Sequence, residues 1–550
     1  MNTDVSLSLD AARLPEDLAT CHALLLQLLA ELQQRDARVA DLEHRMDLLL
    51  RRLYGRTSEK LDPAQLALFD TSPEEPAPQL PPPPPRPAAT TGSVAKPAGH
   101  GRRRLPDQLK RVEKIHDLTP AEKELLGGEA NLIKIGQEVS EQLEWEPSSL
   151  YVIRHVQMTY TRRQSAAGEA TDEQRPAAGA PTVITAAKPP QPIPGGLPGP
   201  GLLAHVAVSK YVDHLPLHRQ ERQFARHGLQ LSRQTTCDWA LAGAKLLLPL
   251  YDLAKQLVLA SDVLHTDATS VKICDALQKL RRTGYFWPLV GDDDHSLIAF
   301  EYTPNHTRDG PAKMLAAFRG FLQVDAHSVY DELFTRRDPE TGQPLIVEVG
   351  CWMHARRKFF EARSVDRLRA ETALARIGQL YAVEREISEH LDGTWIALPR
   401  AERHARVVAA RQASARPVVD EFFSWMQAEA PALLPKNPVR QAMEYALRQQ
   451  AALTRYCDHG ALAIDNGAAE RAIRGIALGR KNWLFCGSER GARAACVYFT
   501  LATSARRHEI DPFVYLRDVF ARLPALLAET AGEPTVEQLR PLLPDRWASA

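Results

Sequence analysis

The stretch 261–273, SDVLHTDATSVKI, constrains this chain more than any other. It is rich in β-branched and apolar residues, as a buried strand is, yet it carries Asp267 in its middle. An unpaired carboxylate in a buried strand is very costly, and a bound cation removes that cost. Two later stretches have the character of partners. GFLQVDA, 320–326, is a short apolar strand running into Asp325, and IDNGAAERAIRGIALGRKN, 464–482, is helical in pattern and carries Glu470. Three carboxylates on separate elements suit two divalent cations about 3.5–4 Å apart, the arrangement used on phosphodiesters. Hard oxygen ligands favour two Mg²⁺ ions, with Mn²⁺ able to substitute.

The surrounding pattern gives the catalytic region a topology. SDVLHTDATSVKI, TGYFWPLVGD and HSLIAFEYT read as three strands joined by short polar turns. A helix led by Pro311, the strand FLQVD, a further helical turn and the strand 345–349 follow. The order βββαβαβ is that of the ribonuclease H fold, with Asp267 on the first strand and Asp325 at the end of the fourth. The expected fold class is therefore multidomain α+β, with a mixed-sheet, ribonuclease H-like core over 258–353 and 461–510. The block 354–460 is almost wholly helical in pattern and is expected to be an insertion, and 511–550 a helical tail.

Upstream, residues 21–53 carry a heptad of Leu25, Leu32, Val39, Met46 and Leu53, with Leu28, Leu42 and Leu49 at the other seam position and Arg35 as its one polar break. The pattern fits a coiled coil that joins copies of the chain, and equally an amphipathic helix packed on its own chain. A Pro-rich linker spans 62–104. It ends in Arg102, Arg103 and Arg104, a run suited to phosphate contact or to a solvated flank. Residues 105–163 alternate as a small α+β module, and a second linker occupies 164–200. Residues 201–257 are helical, with a turn at 229–233 and Ser232 placed as an N-cap. This is the outline of a helix-turn-helix with Arg233, Gln234 and Thr235 facing the groove, or of an ordinary helical hairpin.

At 550 residues, about three or four domains are expected. The formal net charge is zero, so a nucleic-acid surface must be local. The seven cysteines are scattered with no CxxC pair, which points to a reducing cytoplasm and away from a disulfide framework or zinc ribbon. No signal peptide or membrane span is expected. The basic excess lies between 470 and 510, where Arg471, Arg474, Arg480, Lys481 and Arg490 are candidate backbone contacts. Asn466 and Arg474 share a helix face with Glu470, which suits a metal ligand with DNA phosphate contacts beside it, and Asp465 is the rival acid, read as a cap. Gly487, Ser488 and Gly491 suit either a phosphate or a plain turn. Trp352, His354, Arg356, Arg357 and Lys358 form a basic-aromatic cluster that fits base stacking with phosphate contact, and equally a core Trp with a solvated face. His354 is set aside as a metal ligand for want of a neighbouring Cys or His at ligand spacing.

The strings LHTDATSVKI, GFLQVDAHSVYDELF, VGCWMHARRKFFEA and AIDNGAAERAIRGIALGRKNWLFCGSERGA resemble the insertion sequence 66 family of bacterial transposases, and the resemblance runs the length of the chain. It implies an Asp-Asp-Glu transposase in which Asp267, Asp325 and Glu470 hold Mg²⁺ and DNA is cut and joined at element ends. The implied partners are the terminal inverted repeats, target DNA, further copies of the chain and accessory proteins of the same element. The expected location is cytoplasmic, at the nucleoid. Family members carry paired cysteines in the module near 120–165. This chain has none between Cys21 and Cys237, so no zinc is expected there. A ribonuclease H-like nuclease that only hydrolyses, and a non-catalytic DNA-binding regulator, are the competing readings.

Overall fold

The computed structural model describes residues 105–548 apart from 106, 108, 126–127, 147–148, 163–182 and 276–279, together with seven helical positions between His22 and Arg38. Most of the heptad stretch, the Pro-rich linker and Arg102–Arg104 lie outside the described residues. Leu32 and Arg35 are helical and exposed. The chain divides into two compact units.

The smaller unit takes in 358–374 and 429–443. Within it Arg369 bridges Asp366 at 2.8 Å and Glu429 at 2.7 Å. Asn437 accepts from Val439 N–H at 2.8 Å, starting the helix that follows.

The larger unit takes in 105–357, 375–428 and 444–550. It opens with a sheet of β1 (Lys110–His116), β2 (Leu132–Glu146), β3 (Ser149–Arg162) and β4 (Val183–Thr185). β2 and β3 form a long antiparallel hairpin, β1 lies parallel to β3, and β4 pairs antiparallel with the far end of β3. Four helices follow: α1 (Pro200–Tyr211), α2 (Leu217–Arg226), α3 (Arg233–Leu246) and α4 (Leu248–Leu259). Buried Glu144 at the end of β2 accepts from Leu202 N–H at 2.8 Å, so a carboxylate caps the start of α1 and ties the sheet to the helices. The Ser232 hydroxyl caps α3 by accepting from Thr235 N–H. Thr236, Trp239, Ala240, Gly243 and Ala244 of α3 are buried, while Arg233 and Gln234 in its N-terminal turn are exposed, as are Asp238 and Lys245 further along.

The second sheet holds β5 (Val263–Thr266), β6 (Thr269–Asp275), β7 (Leu280–Val290), β8 (Ile298–Thr303), β9 (Gly320–Gln323) and β10 (Ile346–Val349). The expected single first strand is broken: Asp267 and Ala268 separate β5 from β6, and both halves pair antiparallel with β7. The Asp267 carboxylate accepts from Ala268 N–H at 2.7 Å, a local bond that competes with the ladder and turns the chain. β5 also pairs parallel with β9, and β9 parallel with β10. With β5 and β6 counted as one bent strand, the order across the sheet is β10-β9-β5/β6-β7-β8. Gly320 has φ 130° and lies so close to the Asp262 carbonyl that no Cβ fits, which lets β9 start against β5.

The short helices α5 (Asp309–Met314) and α6 (Asp331–Thr335) fall between β8, β9 and β10. A helical block follows β10: α7 (Trp352–Ala362), α8 (Arg367–Asp392), α9 (Arg400–Ala410), α10 (Arg416–Glu429) and α11 (Pro438–Arg448), with a π-helical turn at Arg411–Ala415. Buried Arg411 in that turn forks onto Glu384 at 2.8 and 2.7 Å and donates to the carbonyls of Tyr456, His459 and Leu462. It thereby fastens α8 to the segment returning toward the sheet.

The chain closes with α12 (Gly467–Trp483), α13 (Glu489–Arg507) and α14 (Pro512–Glu529). The α13 face on the sheet is buried and includes two hydroxyls. Thr500 Oγ1 accepts from Phe300 N–H at 2.9 Å, and Ser504 Oγ accepts from Ile298 N–H at 3.0 Å. Edge strand β8 is thus covered by a helix that satisfies its free amides. No helix among the described residues is long and apolar enough to cross a membrane.

Candidate active site

Two strand ends and one helix start converge at the end of the second sheet. Asp267 follows β5 directly. Burial raises its carboxyl to about 6; the negative Asp325 adds to the rise, while Ala268 N–H and Arg357 oppose it. Asp325 lies two residues past β9, beyond Val324, whose N–H donates to Val349 O at 3.1 Å. Ala326 turns the chain at φ 61°, and Asp325 Oδ1 accepts from His327 N–H at 3.1 Å. Glu470 sits in the first turn of α12. Burial raises its carboxyl to about 7; Arg357 opposes this, and the charges of Asp267, Asp465 and Asp325 reinforce it. Each of the three acids is thus within electrostatic reach of the others. Glu470 Oε1 is buried with no hydrogen-bond partner.

The helix carrying Glu470 is fixed at its start by Asn466. Asn466 is fully buried; its Nδ2 donates to Thr266 O at 2.7 Å, and its Oδ1 faces His265 Nδ1 at 3.3 Å. Because that oxygen only accepts, His265 carries its proton on Nδ1. Burial lowers His265 to about 4, against the opposing Asn466 hydrogen bond, so the ring is neutral. Asp465 is held from two sides, accepting from Gly467 N–H at 2.8 Å and from the Tyr381 hydroxyl of α8 at 2.7 Å. The helical block also reaches Asp325, whose backbone oxygen accepts from the Tyr445 hydroxyl at 3.2 Å.

A second donor set shares Glu470. Cys351, His354 and Glu470 bring ligand atoms within 4.8 Å of one another, with His354 Nε2 3.8 Å from Glu470 Oε1. Cys351 stands three residues before His354, so the reason for setting His354 aside does not hold; a Cys-x-x-His signal was present in the sequence. Burial pushes the Cys351 thiol up to about 12, and its Sγ accepts from Asn466 N–H at 3.2 Å. The three carboxyls are the other candidate donor set: burial and mutual charge hold those of Asp267 and Glu470 above their ordinary range, which a bound cation would relieve.

The proposed DNA contacts divide. Trp352 is fully buried and donates from Nε1 to Leu453 O at 2.9 Å, so it is a core residue and no base stacks on it. Asn466 is likewise structural, because all of its polar atoms face the protein. His354 faces Glu470. Arg480 spends its guanidinium on the Ser270 carbonyl and hydroxyl. Arg233, Arg357, Lys358, Arg471, Arg474, Lys481 and Arg490 are exposed, and Arg356 is half-buried. The sequence reading missed His306 and His327 beside Asp325. Their rings meet edge-on at 4.5 Å, and His306 stacks on Tyr285 and Trp287 at 4.6 and 5.2 Å.

Residues 195–494, more than half of the chain, match the family model described as Transposase IS66 family, and residues 41–113 match one described as Transposase C of IS166 homeodomain. Three relatives from Sinorhizobium fredii (strain NBRC 101917 / NGR234) align along nearly all of the chain. Uncharacterized protein y4hP is 32% identical over 94% of this chain and 86% of its own length. Uncharacterized protein y4jD is 27% identical over 95% and 97%, and uncharacterized protein y4qI 29% identical over 92% and 90%. The chain therefore belongs to the IS66 family of transposases.

Proposed function

We propose that the protein binds the terminal inverted repeats of an insertion sequence and cuts and joins DNA strands through Asp267, Asp325 and Glu470. The observation that carries this reading is the buried Glu470 Oε1, which has no hydrogen-bond partner and sits among the charges of Asp267 and Asp325. Leaving a buried carboxylate oxygen unpaired is costly unless a ligand completes it. The three carboxylates would hold Mg²⁺, or Mn²⁺ in its place, which would supply activation of the attacking water or 3′-hydroxyl and stabilisation of the leaving oxygen.

The chain's own residues supply the rest. Arg357 favours the ionised form of both Asp267 and Glu470 and so keeps them competent as ligands near neutral pH. Asn466 and neutral His265 hold the α12 start against β5. Exposed Arg471, Arg474, Lys481 and Arg490 present positive charge to the DNA backbone without reading sequence. The N-terminal heptad joins copies of the chain, accessory proteins of the same element assist, and the 105–163 module works without zinc.

The test is incubation of the full chain with end DNA from the sequence flanking the reading frame, a target plasmid and Mg²⁺. Joined products are expected, and Asp267→Asn, Asp325→Asn or Glu470→Gln each lowers joining by about a hundredfold or more while DNA binding persists. Cut products with no joining favour a hydrolytic nuclease. Full activity in all three variants rejects the site.

A further inference from the structure

The loop leaving α12 holds an unusual turn. Leu484 has φ 62° and ψ −41°, and Phe485 N–H donates across it to Trp483 O at 2.7 Å. This is a γ-turn of the rare positive-φ kind, strained for any residue with a side chain. The turn is clamped on both sides. Cys486 exchanges backbone hydrogen bonds with β6, to Lys272 O at 2.8 Å and from Cys274 N–H at 2.9 Å. Ser488 then caps α13 by accepting from Gly491 N–H at 3.0 Å. What the strained turn presents is apolar: Leu484 is 65% exposed and Phe485 48%. Basic residues flank it along the chain and on the strand it pairs with. Lys481, Arg490 and Lys272 are exposed, and the nearby acid Glu489 is neutralised by an ion pair with Arg282.

We infer that Leu484 and Phe485 form a wedge that enters between base pairs of bound duplex DNA. Apolar wedges flanked by cations unstack a base step while the cations hold the phosphates on either side. A second copy of this chain is a poorer occupant. Two side chains of this size fall well short of the ~800 Å² per partner of a stable protein interface, and a basic rim does not complement itself. The inference rests on the DNA reading above and adds a position to it. Leu484 lies fourteen residues beyond Glu470. At ~1.5 Å per helical residue the two are ~21 Å apart, so the disturbed step falls within about six base steps of the cut phosphodiester at ~3.4 Å each.

The experiment uses the full chain with Ca²⁺ in place of Mg²⁺. The probe is the flanking end sequence as a duplex, with 2-aminopurine placed at one position at a time inward from the cut end. Binding by the wild-type protein is expected to raise fluorescence at least about threefold at one position within about six steps. Leu484→Gly with Phe485→Ala, which relieves the backbone strain and removes the wedge, loses that rise while salt-dependent affinity stays within about twofold. Bound DNA with no rise at any position, or a rise that survives the double variant, overturns the wedge and leaves the DNA reading standing. A double variant that keeps the rise but elutes as a smaller assembly assigns the pair to self-association and also overturns it. Absence of any salt-dependent DNA binding by the wild-type protein defeats the DNA reading and the wedge together.

Discussion

Asn466 Nδ2 donates to Thr266 O at 2.7 Å, so the residue that starts the Glu470 helix is bonded to the strand residue next to Asp267. Two acids 203 positions apart in sequence (470 − 267) are thereby set by one buried side chain. Asn466→Ala leaves Thr266 O and His265 Nδ1 without their partner in a dry site. A loss of about 1–3 kcal/mol is expected, read by urea denaturation, together with impaired strand cleavage and retained DNA affinity. An unchanged denaturation midpoint would show that this bond does not hold the helix.

Tyr381 reaches the same helix from the helical block, donating to Asp465 Oδ2 at 2.7 Å. Tyr381→Phe removes one hydrogen bond to a charged group and nothing else. About 1.5–3 kcal/mol of stability should go with it, and cleavage should fall more than DNA binding does. Thermal unfolding and a gel-shift titration, run side by side, measure the two effects.

In the metal-free protein Asp267 and Glu470 should favour the fold more strongly on acidification, while buried histidines such as His265, lowered to about 4, act the other way. Asp267 at about 6 and Glu470 at about 7 lie above their unfolded values of about 3.9 and 4.3. Between those limits these two groups bind more protons in the native state than in the unfolded chain, so their contribution to ΔG of unfolding falls as pH rises from about 4 to about 7. A divalent cation stabilises the ionised carboxylates and opposes this trend. The rise in Tm on adding Mg²⁺ should therefore be larger at alkaline than at acidic pH. A cation effect independent of pH contradicts the assignment of these two carboxyls as ligands.

Arg357 lowers the proton affinity of both Asp267 and Glu470. In Arg357→Ala both carboxyls should bind protons more tightly, moving the acid limb of the pH–rate profile to higher pH. Arg357→Lys should move it less. A uniform drop in rate with the limb in place would instead make Arg357 a DNA contact alone.

Much of the second sheet is legible in the sequence, because alternation and short polar turns mark β7 and β8 and the Ser232 cap marks α3. The break at Asp267 is not. Whether a carboxylate stays in a ladder or turns back on its own amide depends on one local bond to Ala268 that composition does not encode. The core placement of Trp352 and Asn466 is hidden for a similar reason. Basic neighbours suggest an exposed surface, whereas the side-chain direction is set by partners about a hundred and two hundred residues away, Leu453 and Thr266. The approach of Cys351 and His354 to Glu470 is also a tertiary fact, although the Cys-x-x-His spacing was readable. The roles of Arg411 and Tyr381 depend on long-range pairing that periodicity cannot supply.

Asp267, Asp325 and Glu470 are proposed to hold divalent cations jointly. Anomalous diffraction from crystals of the full chain soaked in Mn²⁺ tests it directly. Two peaks about 3.5–4 Å apart are expected, each bonded to carboxylate oxygens of these three residues. A single peak ligated by Cys351, His354 and Glu470, with Asp267 and Asp325 left out, would contradict it.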